Sequence, residues 1–419
     1  HYYDVLSGVE KEFSGKTVSL ISDNGAGNLE VALPPLSSIA EGENLLSKVR
    51  AEILEMLSRN ALRLLGLGMQ PGPAPMPIEE RRVKSFLYKG FDSLGPTSRF
   101  TNGVMSVCAA HQAGVSLQIR EVIPAVNALI QVAGLIIALC ANSPIQNWTV
   151  LPWKEWRMAA WYFRFMGEKS GFGKLARFPE QPFTSLANYL MYCWNTPYMV
   201  LPPMHAEDFL FPRPRMNYLA YFSAGHVTVA NLAGKIQQHR PSPEDINFAM
   251  LCMWLFAKPH IVVDPEKVVV ADFMKHLKSD TLEKYLLDKL LNCYIEYRGA
   301  ATAPIGEEMA LPALILGLVN NLEALTELTG RYTWDEWGML VYTAAARGMD
   351  AKIRNESVAP LLAELVLIAE AGLDARPFNE APYLAPLKKR IATRKNPADM
   401  AVEKFKRGKE ALLEHVRYK

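Results

Sequence analysis

The chain has 419 residues, half of them apolar, with 45 Lys and Arg against 43 Asp and Glu, a formal net charge of +2. That length suits one large or two ordinary domains with a sizeable core. A balance so near neutral gives no reason to expect nucleic acid or a membrane surface as a partner. Cys108, Cys140, Cys193, Cys252 and Cys293 are scattered and lack CxxC spacing, the pattern of reduced, mostly buried thiols in a cytoplasmic protein.

In chain order, the first 35 residues predict three extended pieces. Gly8-Val9-Glu10-Lys11-Glu12-Phe13 alternates, so Glu10 and Glu12 share a face. After a Ser14-Gly15 turn comes Thr17–Ser22, followed by Asp23; Asn28–Leu33 carries Glu30 and is stopped by Pro34-Pro35. Leu45, Val49, Ile53 and Met56 stand at helical spacing and predict a helix from about Ser38 to Leu65. Gly66-Leu67-Gly68-Met69-Gln70-Pro71 then reads as a strand entering a Pro-rich loop. Its two glycines lack the third that a dinucleotide fingerprint needs.

From Gln112 to Ile119 polar and apolar residues alternate strictly, with Gln112, Gly114 and Ser116 on the polar face of a half-buried strand. The apolar stretch Val122–Ala141 is broken by Pro124, Asn127 and Gln131, too short for a bilayer span, which predicts a buried helix over 125–141. Residues 148–240, rich in aromatics, Pro and Gly, read as helices and long loops forming a lid. Within them the segment Gly167–Lys174 has the wrong spacing for a phosphate loop, and Leu175 stands where Ser or Thr is needed. Residues 241–289 read as mostly helical, 293–298 as a strand with Glu296 and Arg298 on one face, and the part from about 307 onward as helical. The basic run Lys388-Lys389-Arg390 reads as a solvated helical face. Antiparallel-type strands among helices, without βα repetition, argue an α+β fold in a single domain over 1–419.

Taken alone, Glu-x-Glu is the pattern of an edge strand facing water. Glu10, Glu12, Asp23, Glu30 and Glu296 as a set suggest acids from distant strands meeting in one sheet. Such a cluster needs compensation, which divalent metal and phosphate would supply. Arg298 is then either an ion-pair partner of Glu296 or the group that grips a phosphoryl oxygen. His111, His226 and His260 show no metal-ligand spacing and read as core or surface residues.

These segments, in this order, resemble the glutamate–cysteine ligase family of the plant and actinobacterial type, within the glutamine synthetase-like carboxylate–amine ligases. The resemblance is carried by Gly8–Phe13, Asp23 with Leu29-Glu30-Val31, Leu67-Gly68-Met69-Gln70-Pro71 with Met76-Pro77, Ala141-Asn142-Ser143-Pro144, Tyr294-Ile295-Glu296-Tyr297-Arg298-Gly299-Ala300 and Ala345–Ala351. It implies a curved antiparallel sheet forming a bowl flanked by helices. It implies two or three Mg2+ ions held by Glu10, Glu12, Asp23, Glu30 and Glu296, ATP as co-substrate, and Arg298 with Glu296 as the catalytic pair. Gln70, Arg81, Arg82, Gln112, Ser116, Arg347 and Arg354 become candidate substrate contacts. The implied reaction makes an acyl phosphate from a carboxylate and passes the acyl group to an amine, with glutamate and cysteine as the expected pair and a monomer or homodimer as the expected state. The chain departs from the plant pattern on the strand of Gln112, Gly114 and Ser116, where the family has Thr-x-Gln-x-Asn, and at Glu79–Val83. Because these segments line the family's amino-acid pockets, another amine or a catalytically silent nucleotide-binding paralogue stays open as an alternative.

Overall fold

The computed structural model describes residues 9–13, 15–22, 27–73, 103–104, 106–163, 174, 177–196, 210–231, 234–251 and 256–418. Asp23, Arg81, Arg82 and Gly167–Gly173 lie outside them. β1 (Val9–Phe13), β2 (Lys16–Ser22) and β3 (Leu29–Ala32) form an antiparallel sheet in that order. Helix α1 (Ile39–Arg59) begins at Ser38, whose side chain accepts the backbone N–H of Glu41 and so satisfies one orphan donor of the first turn. Val18 and Leu20 of β2 pack with Leu45, Val49, Ile53 and Leu57 of α1. Burying each of these side chains contributes about 1.5–3 kcal/mol, and their spacing is the stripe legible in the sequence.

The helix stops at Arg59, short of the expected Leu65. No strand follows. Residues 65–70 make only isolated bridges, Leu65 to Arg417 and Met69 to Cys108. Their backbone N–H groups go to three different segments: Gly66 to Val416, Gly68 to Asn142 and Gln70 to Val107. A strand needs one continuous neighbour, and this segment has three.

The second sheet holds β4 (Ala110–Ser116), β5 (Ala257–Val263) and β6 (Leu290–Ala301), antiparallel in the order β5-β6-β4. β5 corrects the helical expectation for 241–289. That span does contain helices at Pro243–Leu251, Val270–Lys278 and Leu282–Leu286, with the strand set between the first two. The second sheet's core face presents Ala113, Val115, Ala257, Ile261, Val263, Ile295 and Tyr297 to one large hydrophobic cluster.

Two helices replace the single expected apolar one. They are α2 (Val122–Gln131) and α3 (Ala133–Cys140), bent by 53°. The polar residues that interrupt the run anchor α2: Asn127 exchanges hydrogen bonds with the backbone of Phe183, and Gln131 donates to Thr329. Among the described residues no single helix is long and apolar enough to cross a membrane. Toward the C-terminus α4 (Ala310–Asn320), α5 (Trp334–Arg347) and α6 (Ala359–Asp374) dominate. Arg390 corrects the solvated-face reading: it is buried and donates to Leu139 O while pairing with Glu307.

The chain is thus α+β. Among the described residues the acidic strands fall in two sheets and not in the one expected: Glu10, Glu12 and Glu30 belong to the first and Glu296 to the second.

Candidate active site

Glu296 lies near the middle of the twelve-residue strand β6. Directly across from it stand Lys258 on β5 and Gly114 on β4; one step along, Tyr294 faces His260 and Ser116. Strand alternation puts Lys258, His260, Tyr294, Glu296, Gly114 and Ser116 on the face opposite the core. The β6–β4 register shifts between Tyr297 and Ala300, and Arg298 sits in that bulge, which aims its side chain back along the strand.

His260 Nε2 is 2.8 Å from Glu296 Oε2, Arg298 Nη1 donates to the same oxygen at 2.8 Å, and Lys258 Nζ stands 3.9 Å from it. The His260 ring stacks on Tyr294 at 4.4 Å, nearly parallel, which fixes its plane. Side-chain exposure rises from 6% at Lys258 through 9% at His260 and 14% at Glu296 to 27% at Arg298, so the cluster opens on the Arg298 side. Burial would push the Glu296 carboxyl up. The His260 hydrogen bond and the Arg298 and Lys258 charges outweigh it and hold the group at about 2. Burial pushes His260 down against the opposing pull of Glu296. One carboxylate oxygen thus faces the His260 ring, the Arg298 guanidinium and, farther off, the Lys258 amine.

His260 was read from the sequence as a core or surface residue, and Lys258 was not singled out. The signal was the alternation Lys258-Pro259-His260 ahead of Ile261-Val262-Val263, hidden by a proline, which argues against a strand.

The remaining candidates are spread out. In the first sheet Glu10 pairs with Ser19, Glu12 with Thr17 and Glu30 with Ile21, and Ser19 in turn pairs with Ala32. Positions 12 and 30 therefore fall on the side of the pleat opposite α1, with Glu12 exposed and Glu30 half-buried. Gln112 is half-buried and Ser116 exposed on β4. Gln70 is half-buried beside the start of that strand, and its side-chain oxygen has no partner among the described residues. Arg347 is exposed at the end of α5. Arg354 grips Glu336 with two donors and lies over the Tyr332 ring, so its guanidinium is committed there.

Behind the site, Asn142 donates to both Gly66 O and Thr302 O, tying the 65–70 segment to the end of β6. Its backbone N–H is held by the buried Glu155, itself paired with buried Arg157; burial pushes the Glu155 carboxyl up. A cavity of about 170 Å³ lies elsewhere, between α1 and the start of α4, with Glu43, Arg50, Glu308 and Tyr383 in its wall. Its acids are taken, Glu308 by Arg50 and Glu43 by Tyr383, and Glu296 is not part of it.

Among the described residues no three His, Cys, Asp or Glu side chains gather as a metal site. At Glu296 Oε2, Arg298 stands at 2.8 Å and Lys258 at 3.9 Å. The same surroundings suit an anion.

The chain matches the model of glutamate–cysteine ligase family 2 over residues 4–415. It is similar to a chloroplastic glutamate–cysteine ligase of Medicago truncatula, 27% identical over 129 residues that make up 30% of this chain and 25% of that protein. A chloroplastic glutamate–cysteine ligase of Arabidopsis thaliana is 29% identical over 118 residues, 27% of this chain and 23% of the relative. Glutamate–cysteine ligase A of Oryza sativa subsp. indica is 26% identical over 135 residues, 30% of this chain and 27% of the relative. The aligned stretches span only about a quarter of these relatives, whereas the family match runs nearly end to end, and on it the chain belongs to glutamate–cysteine ligase family 2.

Proposed function

We propose that this protein is an ATP-dependent carboxylate–amine ligase that joins glutamate and cysteine into γ-glutamylcysteine through an acyl phosphate. The observation that carries the reading is the Glu296–Arg298 pair on β6, set within a family match over 4–415. On this reading the fold is glutamine synthetase-like, the sheet of β1–β3 and the sheet of β4–β6 contributing to the wall of a bowl. ATP supplies the phosphoryl group and arrives with Mg2+, for which Glu10, Glu12, Asp23 and Glu30 are the proposed ligands.

A carboxylate oxygen of glutamate attacks the γ-phosphorus and ADP leaves. The amine of cysteine then attacks the acyl carbon, phosphate leaves, and the amine proton passes to solvent or phosphate. What this chain must supply is charge where the phosphoryl oxygens crowd, and Arg298 supplies it with a planar fork that a lysine cannot reproduce. Gln112 and Ser116, on the same face as Glu296 by strand alternation, are the proposed contacts to the amino acids, and Gln70, Arg81, Arg82 and Arg347 are further candidates.

Incubation with Mg-ATP, glutamate and cysteine, read by ADP release and product mass, tests the proposal. A product of summed mass less one water is expected. ADP release with a different amine would keep the chemistry and replace cysteine, and the small residues Gly114 and Ser116 on the open row of β4 are where another amine would find room. No ADP release with any amino-acid pair would overturn the ligase reading.

A further inference from the structure

The cavity of about 170 Å³ beside α1 lies apart from Glu296, and its wall has a chemistry of its own. Three stretches far apart in the chain build it. Helix α1 contributes Glu43, Leu46, Ser47 and Arg50, which are three and four apart and so share one face of the helix. That face adjoins the stripe of Leu45, Val49 and Ile53 that α1 buries against the first sheet. Residues 306–310, which lead from β6 into α4, and the turn of Pro382, Tyr383 and Pro386 close the other sides.

Three carboxylates belong to this wall, and two of them meet a guanidinium. Glu307 pairs with buried Arg390, and Glu308 pairs with Arg50 at 2.7 Å. Glu43 differs. Its Oε2 accepts from the Tyr383 hydroxyl at 2.7 Å, and burial together with that carboxylate pushes the phenol up to about 12. The donor is therefore neutral: it fixes the carboxylate in the wall without cancelling its charge. Arg50, two turns along α1, is about 10 Å away along the helix axis and is engaged by Glu308. Leu46, Met309, Pro382 and Pro386 supply apolar wall beside Glu43.

This combination selects among ligands. An anion entering the cleft would face the unmatched charge of Glu43. A neutral molecule would strip water from that carboxylate and return nothing. An alkylammonium offers charge-assisted N–H donors to the carboxylate and a hydrocarbon body to the apolar wall.

We propose that this cleft binds a small primary ammonium ion, its N–H groups on Glu43 and its hydrocarbon chain against Leu46, Met309, Pro382 and Pro386. The proposal does not rest on the ligase reading. An occupant joins α1, and with it the first sheet, to the segment that follows β6.

Titration of the full chain with n-butylammonium chloride at constant ionic strength, followed by ligand-observed NMR, tests this. A dissociation constant of about 1 mM is expected for so small a ligand. n-Butanol, which lacks the charge, and butyrate, which reverses it, should bind about tenfold more weakly or worse. Glu43→Gln keeps the size of the side chain and an acceptor for Tyr383, and should weaken butylammonium binding about tenfold. Ser47→Trp fills the cleft from an exposed helix position and should abolish binding. A melt of each variant checks its folding, and should Ser47→Trp fail to fold, Glu43→Gln and butanol decide. Hydrogen exchange locates the ligand: slowed exchange within 43–50 and 306–310 is expected. Butanol or butyrate binding as tightly as the amine, Glu43→Gln binding like the wild type, slowed exchange confined to other segments, or no binding at roughly 50 mM amine would each overturn the proposal.

Discussion

At Glu296 two opposing effects meet, and their balance has a measurable consequence. Burial favours the neutral acid; the His260 hydrogen bond and the Arg298 and Lys258 charges favour the anion and hold the group at about 2. In an unfolded chain a glutamate titrates near ~4.3. The folded value is the lower one, so the stabilisation is complete above the unfolded value and is lost as pH falls through about 2. Denaturant unfolding between about pH 5 and pH 2 should show the wild type losing this contribution and Glu296→Gln lacking the loss. At neutral pH the variant should be less stable by about 3 kcal/mol, because it loses the charged acceptor that His260 and Arg298 share. Parallel pH profiles for the two proteins would show that the cluster contributes nothing to stability. The Glu296–Arg298 half of this cluster was legible because residues two apart on a strand share a face whatever the rest of the fold does. Lys258 and His260 were not, because Pro259 stands between them; among the described residues β5 pairs only with β6, and a missing N–H on its other side costs no ladder bond there.

Elements were read best where periodicity is strong and local. The stripe of α1 and the alternation of β4 and β6 survive into the structure, with bounds that moved: α1 ends at Arg59, β4 runs Ala110–Ser116 and β6 runs Leu290–Ala301. Residues 65–70 read as a strand from composition, but what such a segment becomes depends on its partners, and these lie at Val107, Asn142 and Val416. The bend between α2 and α3 likewise depends on the distant anchors Phe183 and Thr329. Helix contacts follow the same logic at α4 and α6. A Cβ on Gly317 would collide with the carbonyl of Ala369, and one on Gly372 with the carbonyl of Gly317. In a solvent-facing helix Gly→Ala stabilises by about 1 kcal/mol. Here the collision dominates, and Gly317→Ala should destabilise by about 1–3 kcal/mol. A thermal melt settles the sign; a raised melting temperature would mean that the helices do not meet at this point.

On the scale of the whole molecule, single side chains stitch distant parts of the chain together. Asn28 donates to Cys108 O, just before β4; Ile39 N–H is held by buried Glu380; Arg50 pairs with Glu308. These contacts seat the first sheet and α1 against the body that holds Glu296. None was visible in the sequence, since each joins residues 80 or more positions apart. The ordered motifs were visible, and the family match over 4–415 rests on the chain as a whole. The central claim is chemical: a carboxylate is activated as an acyl phosphate before the amine attacks. Glutamate carrying ¹⁸O in its carboxyl groups tests this directly. The account predicts one ¹⁸O atom in each phosphate released as the amide forms, read by mass spectrometry of the phosphate. Amide formation with unlabelled phosphate would contradict it.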